Sequence, residues 1–147
     1  MTFDTNKEEF YNFINMLYLI IFIGLLFIGL GALLTVNNAK YLLSGYNTMS
    51  EEERHGFDIQ GYIPFFKSFH YKLGASFIFL GAFLLHFFGE KMAGFFIGTY
   101  PILAYIYFIW AAMKFSNGLN ENWNKIGILV LVVTLVFVVI LFLKDGF

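Results

Sequence analysis

The sequence predicts an all-α integral membrane protein, a bundle of four transmembrane helices joined by a short helical cytoplasmic loop. Three observations carry that expectation. Apolar residues make up 59% of the 147 and charged residues 13%, against about 45–50% and about 25% in ordinary soluble domains. A soluble chain this small buries only about 60–70% of its unfolded surface, so it could not hide that much apolar area from water. Lipid has to be the solvent for much of it. Second, four stretches free of Asp, Glu, Lys and Arg recur along the chain, each near the roughly 17–25 residues that a bilayer core requires of a helix. Third, the last of these, ILVLVVTLVFVVILFL, is rich in β-branched residues. In water it would suggest a strand, but a long run without alternation meets its backbone needs in lipid only as a helix.

The charge-free stretches are Phe10–Ala39, Leu73–Gly89, Met92–Met113 and Ile126–Leu143. They place spans at about 13–36, 70–89, 93–113 and 126–143, in one membrane domain over 1–147 with a loop at 40–69. The first span is too long for the apolar core of a signal peptide. Asp4, Glu8 and Glu9 precede it and no small-residue cleavage site follows, so it is expected to stay on the protein.

Lysine and arginine placement sets the orientation. Lys7, Lys91 and Lys144 fall on one side, and Lys40, Arg54, Lys67, Lys72, Lys114 and Lys125 on the other. The expectation is a multi-pass cell-membrane protein with residues 40–72 cytoplasmic and both termini outside. Trp110 lies near the end of the third span. Trp123, set among Asn120, Asn122 and Asn124, suits an interfacial belt on the same side.

Several chemistries drop out. Without cysteine there are no disulfides, thiolate nucleophiles or Cys-ligated metals. A net charge of −1 gives no reason to expect a nucleic acid partner. No intramembrane carboxylate pair, nucleophile–base pattern or phosphate loop is present, so no catalytic residue, metal or cofactor is assigned. His55 and His70 are expected in the first loop and His86 across the membrane, which assembles no histidine pair.

The first loop is the informative segment. Residues 44–58 read SGYNTMSEEERHGFD. Gly45 is placed to end the first helix, because a left-handed residue costs glycine nothing. Tyr46, Asn47, Thr48 and Met49 would then turn the chain. Ser50 followed by Glu53 is a capping box, so a short helix starts at Glu51 with three glutamates at its positive end. Gly56 keeps it short, and Pro64 opens the helix that runs into the second span. Phe65, Phe69 and Leu73 share a face of that helix, with Lys67 and Lys72 free to snorkel. The connector reading explains Gly45, Asn47, Ser50 and Glu53. It does not require Tyr46 or Met49, so Gly45, Tyr46, Asn47, Thr48, Met49, Ser50 and Glu53 form a candidate docking or sensing surface.

On the run Leu43–Ser50 with Glu53, followed by an aromatic and Asp58, the chain resembles a family of small bacterial multi-span membrane proteins of unknown function. Its mark is a GYNTMS-x-x-E loop. The resemblance covers about residues 20–90 and departs at Arg54-His55-Gly56, where a lysine-rich helix is usual. It implies an apolar helix, a cytoplasmic loop and further apolar helices, and no activity.

Within the spans, the polar candidates are His86 and Glu90 at a helix end, and Thr99, Tyr100 and Pro101 in mid-span. Pro101 would kink the third helix, with Thr99 and Tyr100 meeting the freed backbone groups. Gly94 and Gly98 allow close helix packing, within the chain or between copies in a homo-oligomer. The expected role is a non-enzymatic accessory, sensor or immunity-like subunit that sits in the lipid bilayer and acts through another membrane or cytoplasmic protein. The alternative is a small channel or carrier with an uncharged path around Thr99, Tyr100, Tyr105 and Tyr107.

Overall fold

The computed structural model describes residues 2–116 and 121–144, and Asn120 of the expected interfacial belt lies outside them. These residues are helical almost throughout, and no strand occurs among them. The helices are α1 (Thr2–Leu33), α2 (Ala39–Leu42), α3 (Ser44–Asn47), α4 (Glu51–Gly56), α5 (Ile59–Ala112) and α6 (Glu121–Lys144), with a 3-10 turn at Met113–Phe115. Three segments are long and apolar enough to cross a membrane: Lys7–Leu33, Ile59–Phe115 and Asn122–Lys144.

The middle segment merges the two central spans expected from the sequence, and it is folded back on itself. Gly89 has φ 80° and ψ −178°, the one non-helical residue inside α5. That conformation is open essentially to glycine alone. Residues 59–88 and 90–112 form two antiparallel arms. Phe65 stacks on Phe108 with ring planes 9° apart, His70 meets Tyr105, Ser76 meets Tyr100, and Phe77 packs on Phe96. Glu90 and Lys91, which separate the second and third charge-free stretches, are the first helical residues of the second arm rather than a loop between two spans.

The loop between α1 and α5 is shorter than 40–69. Asp58 caps α5 by accepting a hydrogen bond from the Gly61 amide at 2.9 Å, so the helix begins at Ile59 rather than at Pro64. A side-chain acceptor at the N-cap starts a helix whether or not proline follows, and Pro64 simply lacks one bond inside the helix. Neither Pro64 nor Pro101 takes the backbone out of helical φ/ψ. At Pro101 the neighbours serve other ends than expected. The Thr99 hydroxyl donates to Phe95 at 2.7 Å and Tyr100 meets Ser76, not the Ile97 carbonyl that proline leaves.

Gly45 is not the stop for α1 either. The helix ends at Leu33, where the Asn38 amide donates to the Leu33 carbonyl at 2.7 Å and its oxygen accepts from Thr35 N–H at 2.6 Å. One side chain thus satisfies a terminal carbonyl and closes a turn. Gly45 lies inside α3.

α1 runs antiparallel to the first arm and touches it most closely where Gly24 faces Gly74. A Cβ on Gly74 would run into the Gly24 carbonyl, and one on Gly24 into the Ile78 side chain. Glycines permit that approach, and it gains dispersion contact that lipid cannot match along a rigid seam. Ile20, Phe77, Leu85, Ala93 and Phe96 form the core among α1 and both arms. A second cluster, Leu34, Ala39 and Ile63, anchors the chain after α1 to the start of α5. α6 lies antiparallel along the second arm. Gly94 and Gly98 face Phe142 and Val138, and Gly127 faces Ile109, so within the chain the Gly94–Gly98 face is occupied by α6.

Candidate functional site

The loop end gathers α2, α3, α4, both ends of the α5 hairpin and the start of α6. The capping box expected at α4 is formed. Ser50 N–H donates to Glu53 Oε2 at 2.7 Å, and Glu53 N–H donates to Ser50 Oγ at 3.2 Å. Each bond satisfies an amide that the helix start leaves free. Arg54, one turn further, reaches back to donate to the Asn47 carbonyl at 3.0 Å, and its guanidinium lies 5.8 Å from the centre of the Tyr46 ring. The other neighbour of Tyr46 is Phe57, which packs on Tyr62, which in turn packs on Phe108. A continuous line of rings therefore joins the loop to the second arm. The open end of the hairpin is closed by a backbone bond from Asp58 N–H to the Phe115 carbonyl at 2.9 Å.

Behind this loop is a cavity of about 620 Å³, within the range of roughly 300–1,000 Å³ common to small-molecule sites. Leu43, Tyr46, Thr48 and Met49 form its loop wall. Phe57, Tyr62, Phe108 and Ala112 form the helix wall, and Ser116, Trp123 and Asn124 close it where the chain passes to α6. Tyr46 and Met49, the two residues a connector does not require, thus have a location that accounts for them.

The sequence-derived candidates divide into separate groups. Tyr46, Thr48 and Met49 line the cavity, Asn47 holds Arg54 through its carbonyl, and Ser50 and Glu53 cap α4. His86 and Glu90 lie beside the Gly89 turn at the far end, with His86 exposed and edge-on to Phe87. Thr99, Tyr100 and Pro101 are midway along the second arm, Thr99 buried. No group of three metal-ligating side chains occurs among the described residues.

Sequence reasoning missed two things. The first is the far side of the cavity, because Tyr62, Phe108 and Asn124 are brought together only by the hairpin and α6. The second is His70. Instead of sitting in a loop it is 2% exposed, inside the first arm. Its Nδ1 is 2.8 Å from the Phe66 carbonyl and its Nε2 3.1 Å from the Tyr105 hydroxyl. A carbonyl only accepts, so Nδ1 carries a proton, and in the neutral ring Nε2 accepts from Tyr105. A parallel clasp lies below it. Ser76 Oγ donates to the Leu73 carbonyl, which leaves the Tyr100 hydroxyl to donate to Ser76 at 2.7 Å. The available signal was Ile63, His70 and Phe77 at heptad spacing, with Phe66 and Leu73 between them.

This is an all-helical protein with segments suited to crossing a membrane and a polar-rimmed aromatic cavity at one end. The chain belongs to a family described as a domain of unknown function, DUF3784, which matches residues 21–116. That stretch runs from within α1 through the hairpin and leaves α6 outside. Searches among curated proteins and solved structures return no match.

Proposed function

We propose that the protein is a non-enzymatic membrane subunit of the sensor or accessory kind. On this reading it spans the bilayer four times and works through its loop end. The observation that carries the reading is the seating of Tyr46 and Met49 as walls of the 620 Å³ cavity. What enters the cavity acts on the loop, and the loop passes the effect to a protein partner. Four spans follow if the arms cross separately. Arms of residues 59–88 and 90–112 are about 45 and 35 Å long, each exceeding a hydrocarbon core of about 30 Å. Both termini then lie on one side, and the lysine and arginine distribution puts the loop end in the cytoplasm. Trp110 and Trp123 are both exposed near that end, where an aromatic belt belongs. The carrier alternative has less support, since Tyr100 and Tyr105 direct their hydroxyls to Ser76 and His70 and Tyr107 is exposed.

The test is the double substitution Tyr46→Ser with Met49→Ser. Insertion should be retained, while a co-purifying protein, or the phenotype of a strain lacking the chain, should be lost. A double variant that keeps both would overturn the reading. Orientation is checked separately on the Cys-free background, where an impermeant thiol reagent applied to intact cells should label Thr2→Cys and spare His55→Cys.

A further inference from the structure

We infer that the loop-end cavity binds an uncharged amphipathic small molecule, with an apolar body and one or two hydrogen-bonding groups. The inference rests on the sensor reading and names the chemistry of what is sensed.

Charge is the first argument. Among the described residues that line the cavity, none carries a charge at neutral pH. The nearby cations Arg54 and Lys114 are not among the described lining residues, although Arg54 Nε is buried without a hydrogen-bond partner. Arg54 lies over Tyr46 and donates to Asn47, and Lys114 lies 4.9 Å from the Phe115 ring and 5.4 Å from Phe65. A carboxylate or phosphate entering the cavity would lose its hydration with no counter-charge among the described lining residues, which is costly in a partly enclosed site.

Hydrogen bonding is the second. The Tyr46 and Tyr62 rings make the aromatic contacts already described, and neither hydroxyl has a hydrogen-bond partner among the described residues. Asn124 adds a carboxamide, and Ser116, whose hydroxyl donates to Met113 at 2.8 Å, can still accept. A purely apolar occupant would leave these groups unmet, whereas one bearing a hydroxyl or amide would satisfy them. Shape is the third. Leu43, Met49, Phe57, Phe108 and Ala112 offer an apolar surface for the rest of the molecule, and methionine adapts to irregular outlines. Such a ligand can come from the bilayer, as a neutral lipid, or from solution as a compact aromatic alcohol.

Trp123 is a built-in reporter. Trp110→Phe leaves it as the single tryptophan, at the cavity wall. Full-length protein in detergent is titrated with a monoacylglycerol brominated in its chain, with the matching brominated fatty acid at pH 8, and with 4-bromobenzyl alcohol. The expected result is saturable quenching of Trp123 by an uncharged probe, at least tenfold weaker for the carboxylate. Ala112→Phe, which fills the cavity, should remove it. Saturation by the monoacylglycerol alone assigns the source to the bilayer, and saturation by the alcohol as well assigns it to solution. Non-saturating quenching, quenching unchanged in Ala112→Phe, or equal binding of the carboxylate would overturn the inference. If the cavity fails this test while Tyr46→Ser with Met49→Ser still abolishes partner capture, the sensor reading survives without this ligand. If the probes bind and that double variant behaves as wild type, the ligand site stands and the sensor reading falls.

Discussion

α6 and the α1–α5 unit are both apolar enough to cross a membrane and are held in opposite ways. α6 has the most apolar of the three candidate segments, and none of that stretch is buried within the chain. It touches the second arm along one line, through Gly127, Val138 and Phe142. α1 and the hairpin are less uniformly apolar, yet they contain the buried core, the Gly24–Gly74 contact and both hydroxyl clasps. In water the order would be reversed, because the most apolar segment would seek the interior. In lipid, apolar surface gains nothing by leaving the solvent, and helices are joined by small residues and by polar groups that have no other partner. The family match follows the same division, covering 21–116 and stopping before α6.

If that division is right, substitutions should act very unequally on the two regions. The largest effect is expected at the glycine seam. Gly74→Val puts a branched side chain against the Gly24 carbonyl and Ile28, backbone that can move only by parting the helices. It should destabilise the protein in detergent by about 3 kcal/mol or more, the upper part of the overpacking range, seen as a large drop in melting temperature. A middle effect is expected at the clasp. Tyr105→Phe keeps the ring contacts with Phe69 and Phe108 but leaves His70 Nε2 without a donor. A cost of about 0.6–2 kcal/mol is expected for an interhelical hydrogen bond in a membrane protein. The smallest effect belongs to α6. Val133→Ala, at a position 61% exposed, should change stability by less than about 0.5 kcal/mol. A Val133→Ala loss as large as that of Tyr105→Phe would show that α6 is integral to the core and erase the distinction.

The same contrast separates what the sequence revealed from what it hid. Helix type and the approximate positions of the apolar segments were legible because length and lack of charge determine them in lipid. So was the Ser50–Glu53 cap, whose two bonds are local. Three boundaries were misread, two because a side chain outweighed the glycine or proline nearby and the third because a single glycine reverses the chain. Asn38 ends α1 before Gly45, Asp58 starts α5 before Pro64, and Gly89 turns the chain with no loop at Glu90–Lys91. The candidate site was half visible. Tyr46 and Met49 stood out because a turn does not need them, whereas Tyr62, Phe108 and Asn124 come from parts of the chain that only tertiary folding brings together. His70 was lost to a span boundary drawn at residue 70, even though it continues the heptad stripe of Ile63 and Phe77.

The one-residue reversal at Gly89 has a consequence for how the chain enters a bilayer. A first arm threaded by itself would bring the His70 imidazole into hydrocarbon with Nε2 unmet, and a second arm by itself would bring the hydroxyls of Tyr100 and Tyr105. Each is a solvation burden that a helix facing lipid cannot relieve. With no intervening loop to translocate, the two arms can pass through the insertion machinery as a pre-paired hairpin, hydroxyl already against imidazole. On the four-span reading the unit of membrane integration is then the pair, and Gly89 is its leading tip. An insertion that lengthened that tip would let the arms arrive one after the other. Its first sign would be slower or incomplete integration of newly made protein, well before any change in the finished fold.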